Sequence, residues 1–180
     1  MTVLGIDLSL TQTGLAVTLL NRLHWTGTVK TTGTRSDTLY QRTERLRDIR
    51  NLVEAAVMRY EPVLAVIEAP SYGSSFGSSH DRSGLWWLIV DMLYLRSVPT
   101  AMVAPMQRAK YATGNGRSEK KEVHAYVKAR YARDDLPIKT NDEGDAVLLA
   151  AMGARHLGHP VERGDLDESL LSAMEKVVWP

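Results

Sequence analysis

The run Val63-Leu64-Ala65-Val66-Ile67 lies between Pro62 and Pro70 and ends against Glu68. Five consecutive apolar residues offer no polar face to water, so they predict a strand covered on both sides. Such strands belong to parallel sheets, and a parallel pair needs a helical crossover. The preceding segment supplies one. Leu39, Leu46, Ile49, Val53, Val57 and Tyr60 recur at helical spacing, predicting a helix over 37–60 with Ser36 or Asp37 as its cap.

Further upstream, 2–9, 14–20 and 23–32 read as strands joined by connections of a few residues, an antiparallel meander. If strand one runs up, two down and three up, the crossover brings strand four up as well. Strands one and four can then lie parallel, and each closes on a carboxylate, Asp7 and Glu68. Function gathers at that edge of an open α/β sheet. Downstream follow a Ser/Gly loop over 71–83, an apolar helix over 85–95 and a fifth strand over 99–104. Two helices flank Gly114-Asn115-Gly116, the second over 118–131, and Asn141 caps a last long helix over 142–157. The expected fold class is α/β: a five-stranded mixed sheet, a three-strand antiparallel meander plus parallel strands, flanked by helices. Residues 1–160 are expected to form one domain, and 161–180 a tail with a short helix around 169–178.

Asp142 and Asp145 stand three apart at that last helix's start, about 60° apart on one face. Alone, the pair is ordinary, because acidic residues suit a helix first turn. Beside two strand-end carboxylates it means more. A carboxylate abutting a buried strand is costly to desolvate, and four converging would repel one another unless cations intervened. The chain contains no cysteine, which excludes thiolate metal sites, and its five histidines leave little room for a histidine-built one, so oxygen ligands are expected. Two Mg²⁺ or Mn²⁺ ions among four carboxylates is the arrangement that cuts phosphodiesters.

The blocks GIDLSLTQTGLAV, VIEAP, GNGRSEKKEV and DEGDAVLLAA, in this order between Val3 and His156, resemble the RuvC family of Holliday-junction resolvases. The resemblance implies an RNase H-like fold and cleavage of four-way DNA junctions by paired symmetric nicks leaving 5′-phosphate and 3′-hydroxyl ends. Asp7, Glu68, Asp142 and Asp145 match the family's four catalytic, metal-binding carboxylates, with Asp7 bridging the two ions. Asp7-Leu8-Ser9 departs from the family's usual Asp-Pro-Gly. Lys120, behind the glycine loop, matches the family's catalytic lysine, and Lys110 lies one position from another basic residue of the family. The family also stacks an aromatic on unpaired junction bases at the position of Ser71, where Tyr72 or Phe76 is the substitute here. Its homodimer forms through the helix over 85–95. The compact tail and divergent middle look like a phage-encoded member, acting in the cytoplasm of its bacterial host.

Charge supports a polyanionic partner. The segment 104–133 carries eight basic residues against Glu119 and Glu122, a net of +6 in a chain whose total is +1. Lys110, Arg117, Lys121, Lys128 and Arg130 are candidate contacts to the DNA backbone. The apolar runs are too short for a membrane span, and 1–9 lacks a signal-peptide pattern. A hybrid-specific ribonuclease would place its glutamate on the first helix, where Glu44 and Glu54 stand, and Glu68 argues against it. A broader branched-DNA nuclease shares the chemistry. A non-catalytic junction-binding protein would be expected to lack a carboxylate, and all four are present. An actin-like kinase needs two copies of the fold, for which 180 residues are too few.

Overall fold

The computed structural model describes residues 1–70, 79–133, 135–162 and 164–180. Strands β1 (Thr2–Asp7), β2 (Gln12–Leu19) and β3 (Arg22–Lys30) form the meander. Helix α1 (Leu39–Tyr60) crosses to β4 (Leu64–Glu68), which pairs parallel with β1, and α2 (Ser79–Leu95) leads to β5 (Thr100–Val103), parallel to β4. The sheet order is β3-β2-β1-β4-β5. Then follow α3 (Pro105–Thr113), α4 (Lys120–Tyr131), α5 (Asn141–His156) and the single turn α6 (Glu168–Leu171).

Alternation along the strands divides the core into two layers. Leu4, Ile6, Ala65 and Ile67 face α1 and α2, with Ile49, Val53, Leu85, Ile89 and Leu93. Val3, Val66, Ala101 and Val103 face α5, with Ala146, Ala150 and Met152. Because both faces are covered, β4 is apolar throughout.

Several helix ends differ from the sequence reading, for local reasons. The cap of α1 is Thr38, not Ser36 or Asp37: its Oγ1 accepts from Gln41 N–H at 3.3 Å, and Gln41 Oε1 accepts from Thr38 N–H at 2.8 Å. Asp37 is engaged one step earlier, accepting from Thr34 N–H at 2.9 Å. Likewise α5 is capped by Thr140, not Asn141; Glu143 accepts from the Lys139 and Thr140 amides, and Thr140 Oγ1 accepts from Glu143 N–H at 3.1 Å. Helix α2 already includes 79–84, ahead of the expected start at Leu85. Its apolar circumference is not buried all round in the single chain: Trp87 is 65% and Tyr94 78% exposed.

The C-terminal segment joins the α5 side of the core through Leu170, Ala173 and Val177. A buried polar knot ties it down. Glu162 accepts from the hydroxyls of Tyr111 and Tyr131, each at 2.6 Å, and from Arg155 at 2.9 Å. Burial, then the Glu162 charge, push both phenols up, so they stay neutral donors. Glu162→Ala would strand an arginine and two hydroxyls. We expect it to destabilise the fold by about 3–5 kcal/mol, measured by urea unfolding.

Candidate active site

Asp7 closes β1 and Glu68 closes β4. The parallel register Ile6↔Ile67 sets the two carboxylates side by side. Helix α5 brings the other pair. It crosses β1 and β2 at a separation that only glycine permits: a Cβ on Gly5 would lie 2.1 Å from the Ala146 carbonyl oxygen, and one on Gly14 2.0 Å from that of Asp142. Gly14 pairs with Asp7 across the meander, so this approach lowers the first turn of α5 onto the end of β1. Glu143 is consumed in capping, which leaves Asp142 and Asp145 free to face the strand ends.

The negative charge is concentrated and partly desolvated. Asp7 is pushed up to about 7, chiefly by burial and then by the Glu68 charge; Asp142 adds to the rise while Arg108 and Lys120 oppose it. Glu68 is also raised by burial, against the pull of Arg108 and Lys120. Glu68 is further held through its backbone carbonyl, which accepts from Trp86 Nε1 at 3.0 Å.

Two partners escaped the sequence reading. Arg108, on α3 and 8% exposed, reaches both Glu68 and Asp145 with its guanidinium. Gln12, at the start of β2, donates from Nε2 to Asp142 Oδ2 at 2.6 Å. Nothing local in the sequence separates Arg108 from its neighbours in the basic segment; only the packing of α3 aims it inward. Lys110, two residues on, projects some 200° further round that helix. Lys120 opens α4 as expected and lines a cavity of about 160 Å³ with Arg108 and Asp145.

The remaining basic residues are not gathered at the site. Arg117 and Lys121 are exposed beside the glycine loop. Lys128 and Arg130 lie in the last turn of α4, about 12–15 Å along the helix from Lys120. Tyr72 and Phe76 lie outside the described residues.

Chemically, the four carboxylates suit divalent cations: the donors are all oxygen, and their mutual repulsion falls when a cation enters. Among the described residues no three of them already form a cage for an ion; Arg108 and Gln12 engage three of the four.

A mixed sheet in this order, with a last helix laid across its first two strands, is the RNase H-like fold. The model of the family "Crossover junction endodeoxyribonuclease RuvC" matches residues 3–152, and the chain belongs to that family. The RuvC protein of Rickettsia prowazekii is 29% identical over 154 residues, covering 83% of this chain and 94% of its own. That of a Nocardioides species is 29% identical over 187 residues, covering 98% of both. Among solved structures, Thermus thermophilus RuvC shares the fold with a TM-score of 0.71 at 21% identity, over 88% of this chain and 98% of that one. Fowlpox virus resolvase, solved with Holliday junction DNA, has a TM-score of 0.53 at 13% identity, over 86% and 99%.

Proposed function

We propose that this chain is a structure-selective DNA endonuclease that resolves Holliday junctions by paired symmetric nicks, using two Mg²⁺ or Mn²⁺ ions per site. The observation that carries the reading is the convergence of Asp7 and Glu68 with the α5 carboxylates at one sheet edge, with Asp7 pushed up to about 7. Asp7, Glu68, Asp142 and Asp145 would hold the ions, which when bound would ease the ionisation of water near neutral pH and offset charge building on the phosphate. Lys120 presents a cation to the same phosphate from the rim. Arg117 and Lys121 hold the adjoining DNA backbone, and Lys128 and Arg130 hold it further along α4, giving salt-dependent affinity without sequence readout. The stacking aromatic is Tyr72 or Phe76.

Two nicks need two sites, so the acting form is a homodimer. Trp87 and Tyr94, seven residues apart on α2, share one exposed face, and large aromatics at helical spacing suit a buried interface core. A Trp87→Glu, Tyr94→Glu double variant is expected to give the single-chain mass of 20.0 kDa by light scattering. The unchanged protein is expected at twice that mass. A single-chain mass for the unchanged protein at micromolar concentration would remove the dimer. No described helix is long and apolar enough to cross a membrane. We place the enzyme in the cytoplasm of a bacterial cell.

The deciding experiment incubates labelled four-way, three-way, flap and linear DNA with the protein and Mg²⁺, Mn²⁺ or chelator, beside Asp7→Asn. Symmetric ligatable nicks restricted to the four-way junction support the reading. Cuts spread over all branched substrates would make it a general debranching nuclease. Junction binding without metal-dependent cutting would make it a binding protein.

A further inference from the structure

Arg108 is an unusual occupant for a carboxylate cluster. It is buried, and it spans two of the four acids, Glu68 from β4 and Asp145 from α5. These acids come from opposite sides of the site, so the guanidinium bridges the sheet edge to the helix. Within the contact to Glu68, Arg108 Nε and Glu68 Oε2, both buried, meet each other and have no hydrogen-bond partner beyond it. A carboxylate oxygen can take more than one donor, and a divalent cation, which gathers oxygen ligands from several directions, would satisfy these two acids more fully than one guanidinium edge.

Resting on the reading of the cluster as a divalent-metal site, we propose that Arg108 is an exchangeable internal counter-cation. In the metal-free protein it holds Glu68 and Asp145 in place of metal, and it releases both carboxylates when a divalent cation binds. The same charge that steadies the empty cluster therefore competes with metal and sets the concentration at which the site loads. Gln12 differs in kind. It is neutral and donates a single hydrogen bond to Asp142, so it positions that carboxylate without competing in charge.

The competition has a definite sign. Removing Arg108 leaves Glu68 and Asp145 uncompensated, which weakens the metal-free fold and strengthens the pull on a divalent ion. A role for Arg108 in merely shaping the site has the opposite sign, since misplaced ligands bind metal more weakly.

The test measures Mn²⁺ binding by calorimetry, without DNA, for the unchanged protein, Arg108→Gln and Arg108→Lys. Arg108→Gln is expected to bind Mn²⁺ about tenfold or more tightly than the unchanged protein. Its melting temperature is expected to be lower without metal and to rise further on adding Mn²⁺. Arg108→Lys, which keeps the charge but not the fork, should fall between. Equal or weaker Mn²⁺ binding by Arg108→Gln would overturn the proposal. If that variant does not fold, the ¹⁵N resonance of Arg108 Nε in the unchanged protein decides. A large shift on saturation with Mg²⁺ supports release, and an unmoved resonance overturns it. Failure of the metal-site reading itself would look different: the unchanged protein would bind no Mn²⁺ at all, and no DNA substrate would be cut.

Discussion

Asp7→Asn is expected to lose junction cleavage by about a thousandfold or more, yet to melt higher than the unchanged protein at pH 8 without metal. The loss follows from its place between Glu68 and the α5 acids, where it is the only strand-end acid of the antiparallel meander. Electrostatic groups of this kind are commonly worth several kcal/mol in the transition state. The gain follows from linkage. A carboxyl raised in the folded state favours folding in acid, and that contribution disappears as pH climbs through the folded value. For Asp7 the window runs from the ordinary 3.8 to about 7. Above it, ionised Asp7 opposes folding by on the order of 4 kcal/mol, which corresponds to roughly 10 °C in a domain of this size. Asparagine removes the charge and therefore the penalty. At pH 4 or below the two proteins should melt much closer together, because Asp7 is then largely protonated in the folded state. Thermal melts at both pH values, beside a cleavage time course, check all of this. A variant that melts lower at pH 8 would make Asp7 a structural residue.

The second large effect is steric. Gly5→Ala would drive a methyl to 2.1 Å from the Ala146 carbonyl oxygen and 2.6 Å from the Ala150 amide nitrogen. Both obstacles are backbone in the buried middle of α5, so neither can swing aside. We expect a loss of about 3 kcal/mol or more, at the upper end for overpacking, visible as a lower urea midpoint. Gly14→Ala meets the same helix at Asp142, in its first turn, where the helix can lift more readily. That substitution should retain the fold but displace the carboxylate. A misplacement of about 1 Å can lower the rate some hundredfold, so Gly14→Ala should separate activity from stability where Gly5→Ala does not.

The layout of the sheet was legible because it is local. Unbroken apolar runs, short connections and one helical period give strand direction, which puts Asp7 and Glu68 at the same end of the sheet; the observed register then sets them side by side. Helix ends were less legible. Ser36, Asp37, Thr38, Asn141 and Thr140 are all chemically able to cap, and the choice depends on which side chain the backbone path leaves free. Thus Asp37 went to the turn at Thr34, and Thr38 and Thr140 became the caps.

By itself, the sequence determined the α/β class and strand directions that allow β1 and β4 to lie parallel, and it picked out Asp7, Glu68, Asp142 and Asp145 as candidates. Only the tertiary structure decided that Arg108 stands among them, that Gln12 reaches Asp142 across 130 positions of chain, and that Glu162 fastens the C-terminal segment to Tyr111, Tyr131 and Arg155. The division has a physical cause. Backbone direction follows from patterns within a few residues, whereas the partner of a long polar side chain depends on packed surfaces that no local pattern records.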